Sequence, residues 1–99
     1  MYTIAETDDF IAQSKTVWSD DEKSDFITFL SANPLAGDVI PKTGGFRKLR
    51  WSAKGKGKQG GVRVIYYNLL ENGLIVCFSV YAKNRQENIA PNTLKGKKQ

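Results

Sequence analysis

Histidine is absent from the chain, and Cys77 is the single cysteine. Zinc and other transition metals thereby lose their usual ligands. Ser-His-Asp and Cys-His catalysis are excluded. One cysteine cannot form an internal disulfide, and its place in an apolar stretch reads as a buried, inert thiol. Long apolar runs are also missing. The longest, Leu74 to Ala82, is interrupted by Ser79 and falls far short of the ~20 residues a membrane helix needs. Basic residues are missing from Met1 to Phe10, so that segment does not read as a secretory signal. The expectation is a cytoplasmic protein without a membrane partner, formed as one domain over residues 1–99.

A further absence is the most informative. Val39 to Leu70 contains no acidic residue. Within it, Lys42 to Arg63 ("KTGGFRKLRWSAKGKGKQGGVR") holds eight Lys or Arg and six Gly. Residues 1–38 carry eight acidic side chains against two basic ones, while residues 39–99 carry thirteen basic against two acidic. A random surface would mix its signs, and a plain solvated basic face is the alternative reading. Charge segregated this way points to a polyanionic partner, with nucleic acid foremost.

Local signals outline the elements. Tyr2 to Ala5 reads as a short strand. Thr7 to Val17 reads as a helix, with Thr7 as N-cap and Asp8 and Asp9 at its positive end. "SDDE" from Ser19 to Glu22 is a capping box that opens a second helix. Phe26, Ile27, Phe29 and Leu30 form its apolar stripe, and Asn33-Pro34 ends it. "LAGDVIPKTGG" reads as a loop and Phe46 to Ser52 as a strand. Val62 to Leu70 and Leu74 to Ala82 read as a hairpin around a two-residue Asn72-Gly73 turn of type I′. That turn sets Tyr67 opposite Phe78, Ile65 opposite Val80 and Leu69 opposite Val76, a face expected to pack on the helices. Val64, Tyr66, Asn68, Ser79, Tyr81 and Lys83 are expected on the open, working face. From Arg85 onward the tail is polar and basic, with room for one or two helical turns. The order strand, helix, helix and three strands implies an α+β fold, mainly antiparallel, with helices on one face.

Side-chain alternation in "FRKLRW" separates Leu49 and Trp51 from Lys48 and Arg50. The apolar pair suits the core, which leaves Lys48 and Arg50 on the open face, where Lys83 joins them. Arg63 falls by strict alternation on the core face with Ile65 and Tyr67. A bulge beside Gly60 and Gly61 would re-aim it. Arg47 is ambiguous for the same reason. Converging cations bind phosphates and stabilise a pentavalent phosphorane. They also lower the pKa of a neighbouring lysine by repulsion, and such a lysine can take the proton from an RNA 2′-hydroxyl. This route needs no metal or cofactor. Tyr81 or a second cation could assist the leaving 5′-oxygen. "KGKGKQGG" fails the Walker pattern and reads either as a plain hairpin connection or as a phosphate-attracting loop carrying Lys54, Lys56 and Lys58.

The combination of "GDVI", "TGG", "RK-R", "KGKGK-GG-R" and "YAKN", spanning about residues 31–84, resembles the RelE/HigB-type toxins of bacterial type II toxin–antitoxin modules, and within them the HigB-like branch. The resemblance implies a RelE-like fold and cleavage of mRNA in the ribosomal A site by 2′-hydroxyl attack. It implies a cognate antitoxin, often a helix-turn-helix DNA-binding protein. Lys48, Arg50, Arg63 and Lys83 fall on the family's basic residues, with Tyr81 beside them. Arg47, Lys54, Lys56, Lys58, Asn84 and Arg85 would contact ribosomal RNA or message. The chain departs from the family at its end: no aromatic residue follows Tyr81, and residues 84–99 form a short tail, room only for a stunted helix. Two other readings are a non-nuclease superfamily member that poisons DNA gyrase and a basic RNA-binding module without catalysis. The second calls for exposed aromatics, for which Tyr66 and Tyr81 are the candidates.

Overall fold

The computed structural model describes residues 1–52 and 61–82. Within them, β1 (Thr3–Glu6) leads into α1 (Asp8–Val17) and α2 (Asp20–Ala32), followed by β2 (Asp38–Val39), β3 (Phe46–Trp51), β4 (Val62–Leu69) and β5 (Leu74–Ala82). The strands form one sheet in the order β1-β5-β4-β3-β2. β1 runs parallel to β5 and the other neighbours are antiparallel. This is the expected α+β architecture with one strand more. β2 lies inside the stretch expected to be loop, and two residues of apolar-polar alternation are too few to announce a strand. Among the described residues no helix is long and apolar enough to cross a membrane.

Both helices start as their caps dictate. The Thr7 hydroxyl accepts from the Phe10 N–H at 3.1 Å. In α2 the Ser19 hydroxyl accepts from Glu22 N–H at 3.1 Å while the Glu22 carboxylate accepts from Ser19 N–H at 2.8 Å. Two backbone donors that a helix start leaves without partners are thus satisfied reciprocally. Phe10 and Trp18 from the first helical region and Phe26 and Leu30 from α2 are buried against Val62, Val64, Tyr66, Ile75, Cys77 and Val80 of the sheet. Leu49 and Trp51 pack on this core from β3. Cys77 has no exposed surface, as expected of an inert thiol.

The hairpin departs from expectation in two ways. Its loop is a 3-10 turn over Leu70–Asn72 closed by Gly73 at φ 68°, so Leu69 pairs with Leu74 and Tyr67 with Val76, not with Phe78. A one-residue shift then falls between Ile65 and Tyr66, which pair with Ser79 and Cys77 and leave Phe78 extra. Along β4, and along β5 as far as the shift, the face expected to be open is the one that meets the helices, whereas Val80 and Tyr81, beyond the shift, lie on the sides expected of them. Val64 and Tyr66 belong to the helix-side core, while Ile65, Tyr67 and Phe78 cluster with Phe46, Tyr81 and Ile40 on the other side. Both faces carry enough apolar residues to form a core. Tyr66 tips the balance because its hydroxyl can be buried at low cost. It donates to the Pro34 carbonyl at 2.8 Å and accepts from Gly37 N–H at 2.9 Å. Gly37 has to be glycine for this approach, since a Cβ there would lie 2.9 Å from the Lys48 carbonyl oxygen and 3.0 Å from the Tyr66 hydroxyl.

A basic row across the sheet as candidate functional site

Inverting the faces of β4 resolves the difficulty with Arg63. It alternates with Ile65 and Tyr67 as expected, but theirs is the face away from the helices. The opposing alternation in β3 puts Lys48 and Arg50 on that same face, because Leu49 and Trp51 take the core side. Register then makes a row across three strands: Arg50 lies opposite Arg63, and Arg63 lies opposite Tyr81. Directly opposed residues of antiparallel strands have Cα atoms roughly 4.5–5.5 Å apart. Lys48 sits one step along, opposite Ile65 and, on its other side, Asp38 of β2.

Like charges placed directly opposite each other on neighbouring strands are destabilising. Lys48 and Arg50 are exposed, and neither has an ion-pair partner among the described residues. Arg63 is half-buried, with its Nη1 3.5 Å from the Val62 carbonyl oxygen. Tyr81 is only 7% exposed and packs on Phe46 and Ile65, so its ring is held by the apolar cluster beneath the row. The arrangement is a rigid aromatic and apolar floor flanked by planar, permanently charged forks. It suits phosphate oxygens, which guanidinium groups bind two at a time.

The row is an open surface with clefts at its margins. One, of about 420 Å³, sets Glu22 and Asp25 of α2 against Arg50, Trp51 and Ser52. The acidic helical layer thus meets the basic sheet at this edge. Another, of about 460 Å³, lies toward the other end of the strands between Leu35, Val39, Tyr67 and Leu69.

Arg47 is not brought into the row. Its Nη1 donates to the Gly37 carbonyl at 2.6 Å and approaches that of Leu35 at 3.4 Å, so it braces the loop before β2. Tyr66 is fully buried on the helix side, where burial pushes its phenol above the usual range against the opposing effect of the Gly37 hydrogen bond. It is therefore no stacking candidate, and half-buried Tyr67 takes its place on the face of the row. Lys54, Lys56, Lys58, Lys83, Asn84 and Arg85 lie outside the described residues.

Sequence reasoning missed the hydrogen bonds that govern β5 beyond Cys77. The Thr7 hydroxyl donates to the Phe78 carbonyl at 2.8 Å. Gln13 Oε1 accepts from Val80 N–H at 2.8 Å and from the Ser79 hydroxyl at 3.1 Å. No motif marks Gln13, whose importance comes from where α1 lies against the sheet.

No family model matches the sequence. Solved structures match its fold. The isolated E. coli RelE toxin aligns with a TM-score of 0.60 at 15% identity, covering 88% of this chain and 89% of that one. A chain of the intact E. coli RelBE toxin–antitoxin complex aligns at 0.61 and 14% identity, covering 86% and 100%. A mutant of E. coli RelE in the free state aligns at 0.66 and 13% identity, covering 98% and 96%. The two helices and five-stranded, mostly antiparallel sheet of the described residues match the RelE fold.

Proposed function

We propose that this RelE-fold chain is the toxin of a type II toxin–antitoxin module and cleaves mRNA on the ribosome. The observation that carries the reading is the row Arg50, Arg63 and Tyr81, with Lys48 adjacent, on the sheet face turned away from the helices. In this reading the 2′-hydroxyl of one nucleotide loses its proton and attacks the adjacent phosphorus. A 2′,3′-cyclic phosphate forms, and the 5′-oxygen of the next nucleotide leaves with a proton. Arginine stays charged at any physiological pH, so Arg50 and Arg63 serve as phosphate ligands and stabilise the extra negative charge of the phosphorane. Proton transfer falls to lysine, with Lys48 and Lys83 as the candidates. Tyr81 lines the row beside Arg63. The chemistry needs no metal ligand, in keeping with a sequence that has no histidine and one buried cysteine.

The partners follow from the same reading. E. coli RelE occurs in a complex with an antitoxin, and we assign this chain an antitoxin partner too, with a helix-turn-helix DNA-binding protein as the expected type. The ribosomal A site, message and ribosomal RNA are its targets, which places the protein in the cytoplasm.

The test is expression of the parent, Arg63→Ala and Lys83→Ala at matched levels, with primer extension on cellular mRNA. Cuts within translated codons are expected for the parent. Each variant is expected to lose about a hundredfold in rate, the usual cost of removing one preorganised donor at a developing charge. Uncut mRNA together with an SOS response would favour the gyrase reading. Variants as toxic as the parent would remove Arg63 and Lys83 from the site.

A further inference from the structure

Strand β5 changes its phase at Phe78. Before it, Ile75 and Cys77 face the helices; after it, Val80 does so and Tyr81 faces the other way. Unbroken alternation from Cys77 would send Ser79 and Tyr81 to the helix side and Val80 to the row. The extra residue at Phe78 is therefore what brings Tyr81 opposite Arg63.

The bulge is held from outside the β4–β5 ladder. The parallel partner β1 ends with Glu6 opposite Cys77, because α1 begins two residues later. Among the described residues no strand lies beside the outer edge of β5 beyond that point. The turn into α1 supplies the partners instead. Thr7 N–H donates to the Cys77 carbonyl at 3.1 Å, and the Thr7 hydroxyl donates to the Phe78 carbonyl at 2.8 Å. Gln13 Oε1 then accepts from both Ser79 and Val80, on the two residues that follow the bulge. An unpaired edge donor in a part-buried setting would favour whatever register satisfies it, and here a side chain satisfies the bulged one.

The geometry points to Gln13 as a positioning residue for the proposed nuclease: by bridging Ser79 and Val80 it holds the β5 bulge that sets Tyr81 in line with Arg63 and Arg50. It touches no substrate in this scheme and acts from α1. Its catalytic consequence rests on the nuclease reading, whereas its structural consequence does not.

The experiment compares Gln13→Met, which keeps the length of the side chain and removes the acceptor, with Gln13→Glu, which keeps an acceptor for both donors. Ile27→Val, a modest loss of core packing in α2, controls for stability. NMR cross-peaks between the Tyr81 ring and the Ile65 methyls report the bulge in each protein. Single-turnover cleavage of programmed ribosomes reports the chemistry. Gln13→Met is expected to lose the cross-peaks and to slow cleavage at saturating enzyme by about tenfold to a hundredfold, the scale on which small misplacements act. Its ribosome affinity is expected to stay close to that of the parent. Gln13→Glu and Ile27→Val are expected to keep both signals. Cross-peaks that persist in Gln13→Met, or a loss shared equally by Gln13→Glu, would overturn the proposal. If Gln13→Met does not fold, Ser79→Ala, which removes one of the two bonds, is read by the same pair of signals against the same expectations. A parent that shows the cross-peaks but cuts nothing would refute the nuclease reading, while the cross-peaks of the variants still decide the role of Gln13 in the bulge.

Discussion

Cys77 is the residue whose burial has the plainest consequence in solution. Desolvation, helped by the Glu6 carboxylate, pushes its thiol up to about 12 from an ordinary value of 9.0. A folded-state value above the unfolded one means that the folded protein holds its proton where the unfolded chain has released it. The associated stability is complete below pH 9, declines above it and is gone by about pH 12. Tyr66, also raised by burial, adds a loss in the same direction above its ordinary 10.0. Chemical denaturation from pH 8 to 11 is expected to show falling stability from about pH 9, with the early part flattened in Cys77→Val. A pH-independent parent would contradict the burial of the thiol. Gly61 makes a second case. It has φ +70°, and a Cβ there would run into the Trp51 carbonyl oxygen where β4 begins beside the end of β3. Gly61→Ala is expected to cost at least ~2 kcal/mol, from left-handed backbone strain plus a clash with main chain that cannot rotate away. Thermal melting checks it, and an unchanged midpoint would refute the local geometry. This glycine of the "KQGG" motif is there for the entry into β4, whatever its neighbours do for phosphates.

Among the elements, α2 is the one whose start is written most clearly in its own residues. The reciprocal bonds between Ser19 and Glu22 make up the capping box, with Asp20 and Asp21 adding favourable charge in the first turn. Ser19→Ala is expected to cost about 1 kcal/mol, a drop of roughly 4–8 °C in midpoint for a chain of this size. Ser19→Asp, which restores a capping oxygen, should recover most of it. An alanine variant that melts with the parent would mean that tertiary packing alone defines this helix start. The neighbouring salt bridge, Lys23 to Glu6 at 2.6 Å, ties α2 to β1. It is partly exposed and contributes little by comparison.

Across the described residues of the molecule, the acidic helical layer and the basic sheet divide the charge between them. Residues 1–38 supply the helices and most of the carboxylates, while β3 and β4 carry Arg47, Lys48, Arg50 and Arg63. An anionic polymer is repelled from one side and drawn to the other, so orientation is set before docking. In the proposed function, binding to ribosomes should weaken steeply with salt. Replacing Lys54, Lys56 and Lys58 together by Gln should flatten that dependence. The log–log slope should fall by roughly one unit or a little less for each phosphate that is no longer neutralised. Cleavage at saturating enzyme should change little, since lysines separated by glycines are poorly suited to hold a catalytic geometry. Normal binding with a large loss of the chemical step would move these lysines into the site. A second expectation belongs at this scale: free RNA should be cut slowly and programmed ribosomes fast, because the decoding site can hold the 2′-hydroxyl in line. Equal rates would refute it.

Features that depend on near neighbours in the chain were legible from the residues themselves. Thr7 and Ser19 cap helices because their partners stand three residues on. Phe26 and Leu30 lie one helical turn apart and are both buried. Lys48 and Arg50 separate from Leu49 and Trp51 because strand side chains alternate, and the sheet face that holds the two cations was legible for that reason. The phase of the β4–β5 hairpin was not. Either face of it is apolar enough to form a core, and the groups that decide between them are remote in sequence. Tyr66 is settled by the Pro34 carbonyl, 32 residues away, and the bulge in β5 is met by Gln13, 67 residues from Val80. Arg63 therefore looked misplaced on β4, and Tyr66 looked available to RNA. Only when α1 and the loop after α2 are packed against the sheet do their hydrogen-bonding groups select one register, since a polar group left unsatisfied in a part-buried setting costs free energy and these groups find their partners in that register.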